Sequence, residues 1–278
     1  MSIKNILVSV IIPTYNRAHL LERAIKSVLS QSYSDLELIV IDDGSTDNTQ
    51  ELLANFIRKD KRVKTFCIDN SGVSRARNTG IHSSNGSLIA FLDSDDEWLQ
   101  HKLKKQVDLY KTDRFVLCHS NEIWIRNGIR VNQMKKHEKS GGDLFLKSLP
   151  LCCISPSASI LEKEVFDEVG LFDESFDICE DYELWLRITA KHRVDFIEEP
   201  LIIKYGGHEH QLSRRSWGND IYRVKALQKI IKNGLVSDNK LAQVVMMLKT
   251  KSQILSDGFN KHGDIEKAKY YRKLVENI

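Results

Sequence analysis

The sequence predicts an α/β fold: a mostly parallel sheet flanked on both faces by helices, followed by a C-terminal helical appendage. Three observations predict it. Over the first hundred residues, short apolar runs alternate with segments of helical periodicity; polar clusters stand at the ends of those runs; and every strand signal disappears after Trp217.

Residues 7–13, 36–43, 63–69 and 88–93 are rich in Val, Ile and Leu and lack polar alternation, the mark of strands buried on both faces. Between them, segments 18–32, 46–58 and 74–83 carry apolar residues at helical spacing, as in Leu21, Ala24, Ile25, Val28 and Leu29. Strand, helix, strand in this rhythm means parallel strands joined by crossover helices, and such sheets hold ligands at the carboxyl ends of their strands. Past Trp98 a helix is predicted to about Lys111, then strands at 115–121, 123–126 and 129–132, with Asn127-Gly128 as a hairpin turn. Residues 152–161 read as a strand, 180–190 as a helix with Leu184, Trp185 and Ile188 on one face, and 194–205 as strands broken by Pro200. Helices at 219–233, 238–256 and 264–276 follow, separated by Gly234 and by residues 258–263. The chain thus divides into residues 1–216 and a helical tail, 217–278.

Composition narrows the function. Hydrophobic residues at 41% and charged ones at 28% exclude a disordered chain. A formal charge of +3 is too small to make nucleic acid or an anionic membrane the main partner. No apolar run approaches a membrane span and no cleavable leader is visible. Five scattered cysteines form no CxxC pair, which suits a reducing cytoplasm.

The strongest chemical signal is Asp93-Ser94-Asp95-Asp96, three carboxylates directly after a buried strand. Such crowding of like charge calls for a cation, and hard oxygen ligands suit Mg²⁺ or Mn²⁺ bound together with phosphates. The plainer reading is that Asp95 or Asp96 caps a helix beginning near Glu97. Asp42-Asp43-Gly44 ends the second strand, where Asp43 can accept from a base or ribose and Gly44 permits close approach; a capped turn is the alternative. Pro13-Thr14-Tyr15-Asn16 adds an aromatic face and amides at the same edge. Arg75, Arg77 and Asn78 lie near a helix start where a diphosphate fits. A second acidic pair, Glu180-Asp181, opens a later helix; a carboxylate there has a lowered pKa and suits a general base. Gly206-Gly207-His208-Glu209-His210, with Arg214 and Arg215, gathers groups able to meet metal or phosphate.

The runs Val8 to Asn16, Ile41 to Asp47, Asp93 to Asp96 and Glu180 to Arg187 resemble, in order, the motifs of glycosyltransferase family 2, with its A-type fold. The resemblance spans residues 6–216 and leaves the tail outside. It implies an inverting enzyme that moves a sugar from a nucleoside diphosphate donor, UDP foremost, to an acceptor hydroxyl of a glycan or lipid-linked glycan, with Mn²⁺ or Mg²⁺. It assigns donor binding to residues of about 1–112 and acceptor binding to about 113–216. By motif match, Pro13, Thr14, Tyr15 and Asp43 would surround the nucleoside, and Arg77 takes a commonly basic position. Asp93 would lie near the ribose, Asp95 would ligate the metal and Asp181 would be the base. His208 resembles a late histidine that some relatives use at the metal, with His210 two residues on. A nucleotidyltransferase is the first rival, but it calls for a Gly-rich phosphate loop where Pro-Thr-Tyr-Asn stands. A binding module without turnover is the second. The tail, with Ile221, Val224, Leu227 and Ile231 on one face, is expected to serve self-association or docking on a partner or membrane surface.

Overall fold

The computed structural model describes residues 6–207 and 218–276. Four strands, β1 (Val8–Thr14), β2 (Leu36–Asp42), β3 (Val63–Cys67) and β4 (Leu88–Phe91), run parallel in the order β3-β2-β1-β4. Their crossovers are α1 (Ala18–Leu29), α2 (Thr49–Lys59) and α3 (Val73–His82). The unbroken apolar runs have a direct cause: Val8, Val10 and Ile12 enter the core on one face of β1 and Ile11 enters the core on the other. The first core is closed by α1, α2 and α4 (Lys102–Thr112); the second by α3, α6 (Val165–Val169) and α7 (Glu180–Lys191). A Cβ on Gly80 would stand 2.5 Å from Ile11 Cγ2, so α3 lies on β1 closer than a side chain would permit.

Beyond β4 the sheet becomes mixed. Its order continues β4-β8-β6-β9-β5, where β5 is Glu97–Trp98, β6 Leu117–Arg126, β8 Ile160–Glu162 and β9 Asp195–Gly206; β7 (Ile129–Val131) pairs with β6. The Asn127-Gly128 hairpin is present, with both residues at positive φ as a two-residue turn requires. Four expectations are corrected. The two strands predicted before the turn are one, β6. No helix begins near Glu97, because Glu97 and Trp98 pair antiparallel with Ile203 and Ile202, and α4 starts at Lys102. The strand over 152–161 shrinks to β8, since Pro156 fixes φ and Ser159 Oγ donates to its carbonyl at 2.7 Å, curling residues 156–158 into a 3-10 turn. Pro200 does not break β9: it faces Asn121 of β6 at a bulge, where a residue lacking an N–H is tolerated.

The tail forms α8 (Asn219–Lys232), α9 (Asp238–Lys261) and α10 (Ile265–Glu276). Its expected free apolar face is covered by the chain itself. Val224, Leu227 and Ile230 are buried with Phe176, Tyr182, Leu186 and, from α5 (Phe145–Ser148), Phe145 in a third core. Lys229 Nζ adds ion pairs at 2.7 Å to Asp173 and to Glu183 of α7. Leu227→Ala is therefore expected to cost about 3 kcal/mol in urea unfolding. An unchanged midpoint would mean that the tail is energetically separate.

Candidate active site

The loops after β1 and β2 form one wall. Register sets Thr14 opposite Asp42. Asn16, at φ 50°, fastens the loops: its N–H donates to Ser45 Oγ at 2.9 Å and its Oδ1 accepts from Thr46 N at 2.7 Å. Pro13 and Thr14 are buried, whereas Tyr15 is exposed at this edge. Thr14 Oγ1 and Asp42 Oδ2 are buried with no hydrogen-bond partner among the described residues, a demand that a ligand can meet. Asp43 accepts from Ser71 N at 2.8 Å and Gly72 N at 2.9 Å, just ahead of α3. Burial raises its pKa against those two bonds, and Asp42 adds to the rise. Gly44, at φ 77°, lets Asn70 N come to 3.0 Å of where a Cβ would be.

The acidic loop after β4 is held from several sides. Asp93 N donates to Ser157 Oγ at 3.1 Å, and that hydroxyl donates to Asp96 Oδ2 at 2.6 Å. Asp96 Oδ1 accepts from Tyr205 N at 3.2 Å. Asp95 accepts from Arg17 at 3.1 Å. With no helix starting beside them, Asp95 and Asp96 are not caps. Burial pushes the Asp96 carboxyl well above the usual range, opposed by Lys204 and reinforced by Asp95 and Asp93. Asp93 moves the other way: burial opposes its ionisation, but Arg77, Lys204 and Arg17 hold its pKa below the ordinary value. Lys204 itself keeps its charge in spite of burial because Asp96, Glu122, Asp93 and Asp95 surround it, and its Nζ donates to Ser155 Oγ at 2.8 Å. Neither Lys204 nor Ser157 is among the residues expected from the sequence. The available signal for Lys204 was a lone cation inside the apolar run Leu201-Ile-Ile-Lys-Tyr.

Arg77 joins the two acidic motifs. Only 3% exposed, it donates to Asp93 Oδ1 at 2.8 Å and to Glu180 Oε1 at 2.5 Å. Of the two cations expected at the start of α3, Arg75 is exposed and Arg77 is turned into this bridge. Asn78 is likewise structural, exchanging bonds of 2.9 and 3.0 Å with the backbone of Phe172. The expected lowering at Glu180 is reversed: burial pushes its pKa up to about 7 against Arg77, and Asp181 adds to the rise. It lies under α3 rather than at a solvated helix start. Asp181 is more open. Its Oδ1 accepts from Tyr182 N at 2.7 Å, and its Oδ2 accepts from the Cys152 thiol at 3.4 Å. Further along α7, Glu183 and Arg187 form a buried pair, and Arg187 also donates to the carbonyls of Gly170 and Leu171. That half of the motif builds structure. His208, His210, Arg214 and Arg215 lie outside the described residues.

Among the described residues no three His, Cys, Asp or Glu side chains converge into a metal cage. Asp95 nevertheless suits a hard cation that takes the rest of its shell from phosphate and water, since such an ion needs only one or two carboxylates.

Likeness to known proteins agrees with this arrangement. The chain is 30% identical over 243 residues, 87% of its length and 91% of the relative's, to the Escherichia coli UDP-Glc:alpha-D-GlcNAc-diphosphoundecaprenol beta-1,3-glucosyltransferase WfgD. It is 36% identical over 200 residues to an uncharacterised glycosyltransferase of Rickettsia conorii, of which it spans only 32%. In fold it is similar to residues 1–349 of S. aureus TarS in complex with UDP-GlcNAc, with a TM-score of 0.69 at 17% identity over 97% of this chain and 91% of that one. A mannosyltransferase from Pyrobaculum calidifontis in complex with GDP-Man and Mn²⁺ matches with a TM-score of 0.61 at 16% identity over 97% and 83%. The family model described as Glycosyl transferase family 2 matches residues 9–170, which takes in both wall loops, the acidic loop and Arg77. With its motifs gathered at one sheet edge and that model matched over more than half its length, the chain belongs to glycosyltransferase family 2.

Proposed function

We propose that the protein is an inverting glycosyltransferase that moves a sugar from a UDP-sugar to a hydroxyl of a lipid-linked glycan, in surface polysaccharide synthesis. The observation that carries it is the double ion pair of Arg77, which sets the acidic loop beside the carboxylates that open α7. Relatives named for UDP-Glc and for a diphosphoundecaprenol acceptor support the two substrate classes.

In this reading Thr14, Tyr15 and Asp43 hold the nucleoside, with Pro13 shaping the turn beneath it, and Asp93 meets the ribose. Asp95, joined by His208, would hold Mg²⁺ or Mn²⁺, which when bound neutralises charge on the leaving diphosphate. Arg77 orients Asp93 and Glu180, Lys204 offsets the crowded carboxylates, and Asp181 Oδ2 takes the proton of the attacking hydroxyl. Attack opposite the leaving group inverts the anomeric centre. Among the described residues no helix is long and apolar enough to cross a membrane. We propose further that the enzyme works as a peripheral protein at the cytoplasmic face of the bilayer, where a lipid-linked acceptor would be met.

Calorimetry with UDP tests the donor site. Binding is expected to weaken about tenfold or more when Mn²⁺ is chelated, and Asp95→Asn should match the chelated value, because a neutral amide is a poor ligand for a hard cation. Equal affinity with and without metal would remove the metal from the reading.

A further inference from the structure

We infer that the β6–β7 hairpin is a docking surface for an anionic lipid bilayer, set at the rim of the candidate active site. Its tip presents Ile129, 69% exposed, and Met134, 57% exposed, follows just beyond β7. Arg126 and Arg130 flank Ile129, and Lys135 and Lys136 follow Met134. All four cations are exposed, and none forms an ion pair among the described residues. Three tail lysines differ from them: on α10, Lys267 pairs with Asp264 and Lys269 with Glu266, and on α8 Lys229 is taken by Asp173 and Glu183.

An exposed aliphatic tip flanked by Arg126 and Arg130, neither ion-paired among the described residues, is complementary to one kind of surface. Met134, Lys135 and Lys136 lie further back along the hairpin, next to Gln133, whose side chain donates to the Glu122 carbonyl. At an anionic bilayer the aliphatic groups enter the acyl boundary while the cations meet lipid phosphates. A nucleic acid would satisfy the cations but leave Ile129 and Met134 in water. The hairpin is also well placed. Trp124 of β6 pairs with Lys204, which lies among the acidic loop's carboxylates. The Asn127 turn comes three residues later, roughly 10 Å further along the strand. The purpose of such a grip rests on the reading above: an acceptor sugar joined to a lipid by a diphosphate stands close to the membrane, so the site that receives it must as well.

Flotation of the full chain with vesicles tests the surface without needing turnover. At about 0.1 M salt the protein is expected to float with vesicles of phosphatidylcholine and phosphatidylglycerol, and not with phosphatidylcholine alone. Arg126→Glu with Arg130→Glu should weaken that binding about tenfold or more, and Ile129→Asn about threefold or more. Lys267→Glu with Lys269→Glu on α10 should leave it unchanged. UDP affinity reports that each variant is folded. Binding to neutral vesicles alone, indifference to the hairpin substitutions, or loss confined to the α10 variant would overturn the inference. Vesicle binding in a protein that transfers no sugar would sink the transferase reading and leave this surface standing.

Discussion

Asp181→Asn is expected to lower sugar transfer by roughly 10²–10⁴-fold while UDP affinity stays within about threefold. The substitution is nearly isosteric and removes only the basic oxygen. Asp181 is the half-open carboxylate of its pair, with a single weak thiol donor on Oδ2, whereas Glu180 is buried and held by Arg77. Glu180→Gln is the control. It should cost less in transfer than Asp181→Asn, because the neighbouring Asp93 still holds Arg77. Steady-state kinetics beside UDP calorimetry separates the cases. Transfer lost in Glu180→Gln but kept in Asp181→Asn would move the base to the other carboxylate. If both retain it, the acidic pair is only a helix start.

Arg77→Met is expected to destabilise the fold by about 3–5 kcal/mol, the usual result of stripping one partner from a buried ion pair. Glu180 would then be left buried without its counter-charge, and Arg77→Met combined with Glu180→Gln should recover part of the loss. The pH dependence has a definite sign. Glu180 is raised from its ordinary 4.5 to about 7 in the folded protein. For an acid raised by folding, the stabilising contribution is full below pH 4.5 and is lost as pH rises through about 7. Urea unfolding near pH 5 and pH 8 should therefore show Glu180→Gln gaining on the wild type at the higher pH. A difference that stays constant between the two conditions would mean that Glu180 titrates alike folded and unfolded.

The first hundred residues were legible because β1, β2 and β4 are buried on both faces, which forces continuous apolar runs, and each crossover helix shows one apolar stripe. β3, expected to be buried, is the edge strand, where only Val63 is buried. The polar strand ends then followed from topology, and Asp93, Asp95 and Asp181 stand out as repeated acids. The rest depends on contacts that leave no periodic trace. Ser157 and Asp96 meet across 61 positions and Tyr205 and Asp96 across 109, so neither pairing marks the local sequence. Glu180 reads as a solvated helix start until α3 is seen to cover it. The short β5 is set by its partner β9 rather than by its own two residues. In the tail, an apolar face is equally visible whether a partner or the chain's own helix α7 covers it.

The close seating of α3 on β1 has a mechanical meaning for the site. Gly80 lies three residues, less than one helical turn, beyond Arg77, and it is the point where the helix touches Ile11 of the sheet. A methyl group there would act as a shim under one end of a short lever, lifting the guanidinium away from Asp93 and Glu180 together. The spacing between Asp93 and Glu180 is thus gauged by a hydrogen atom less than a turn away on the same side of the helix.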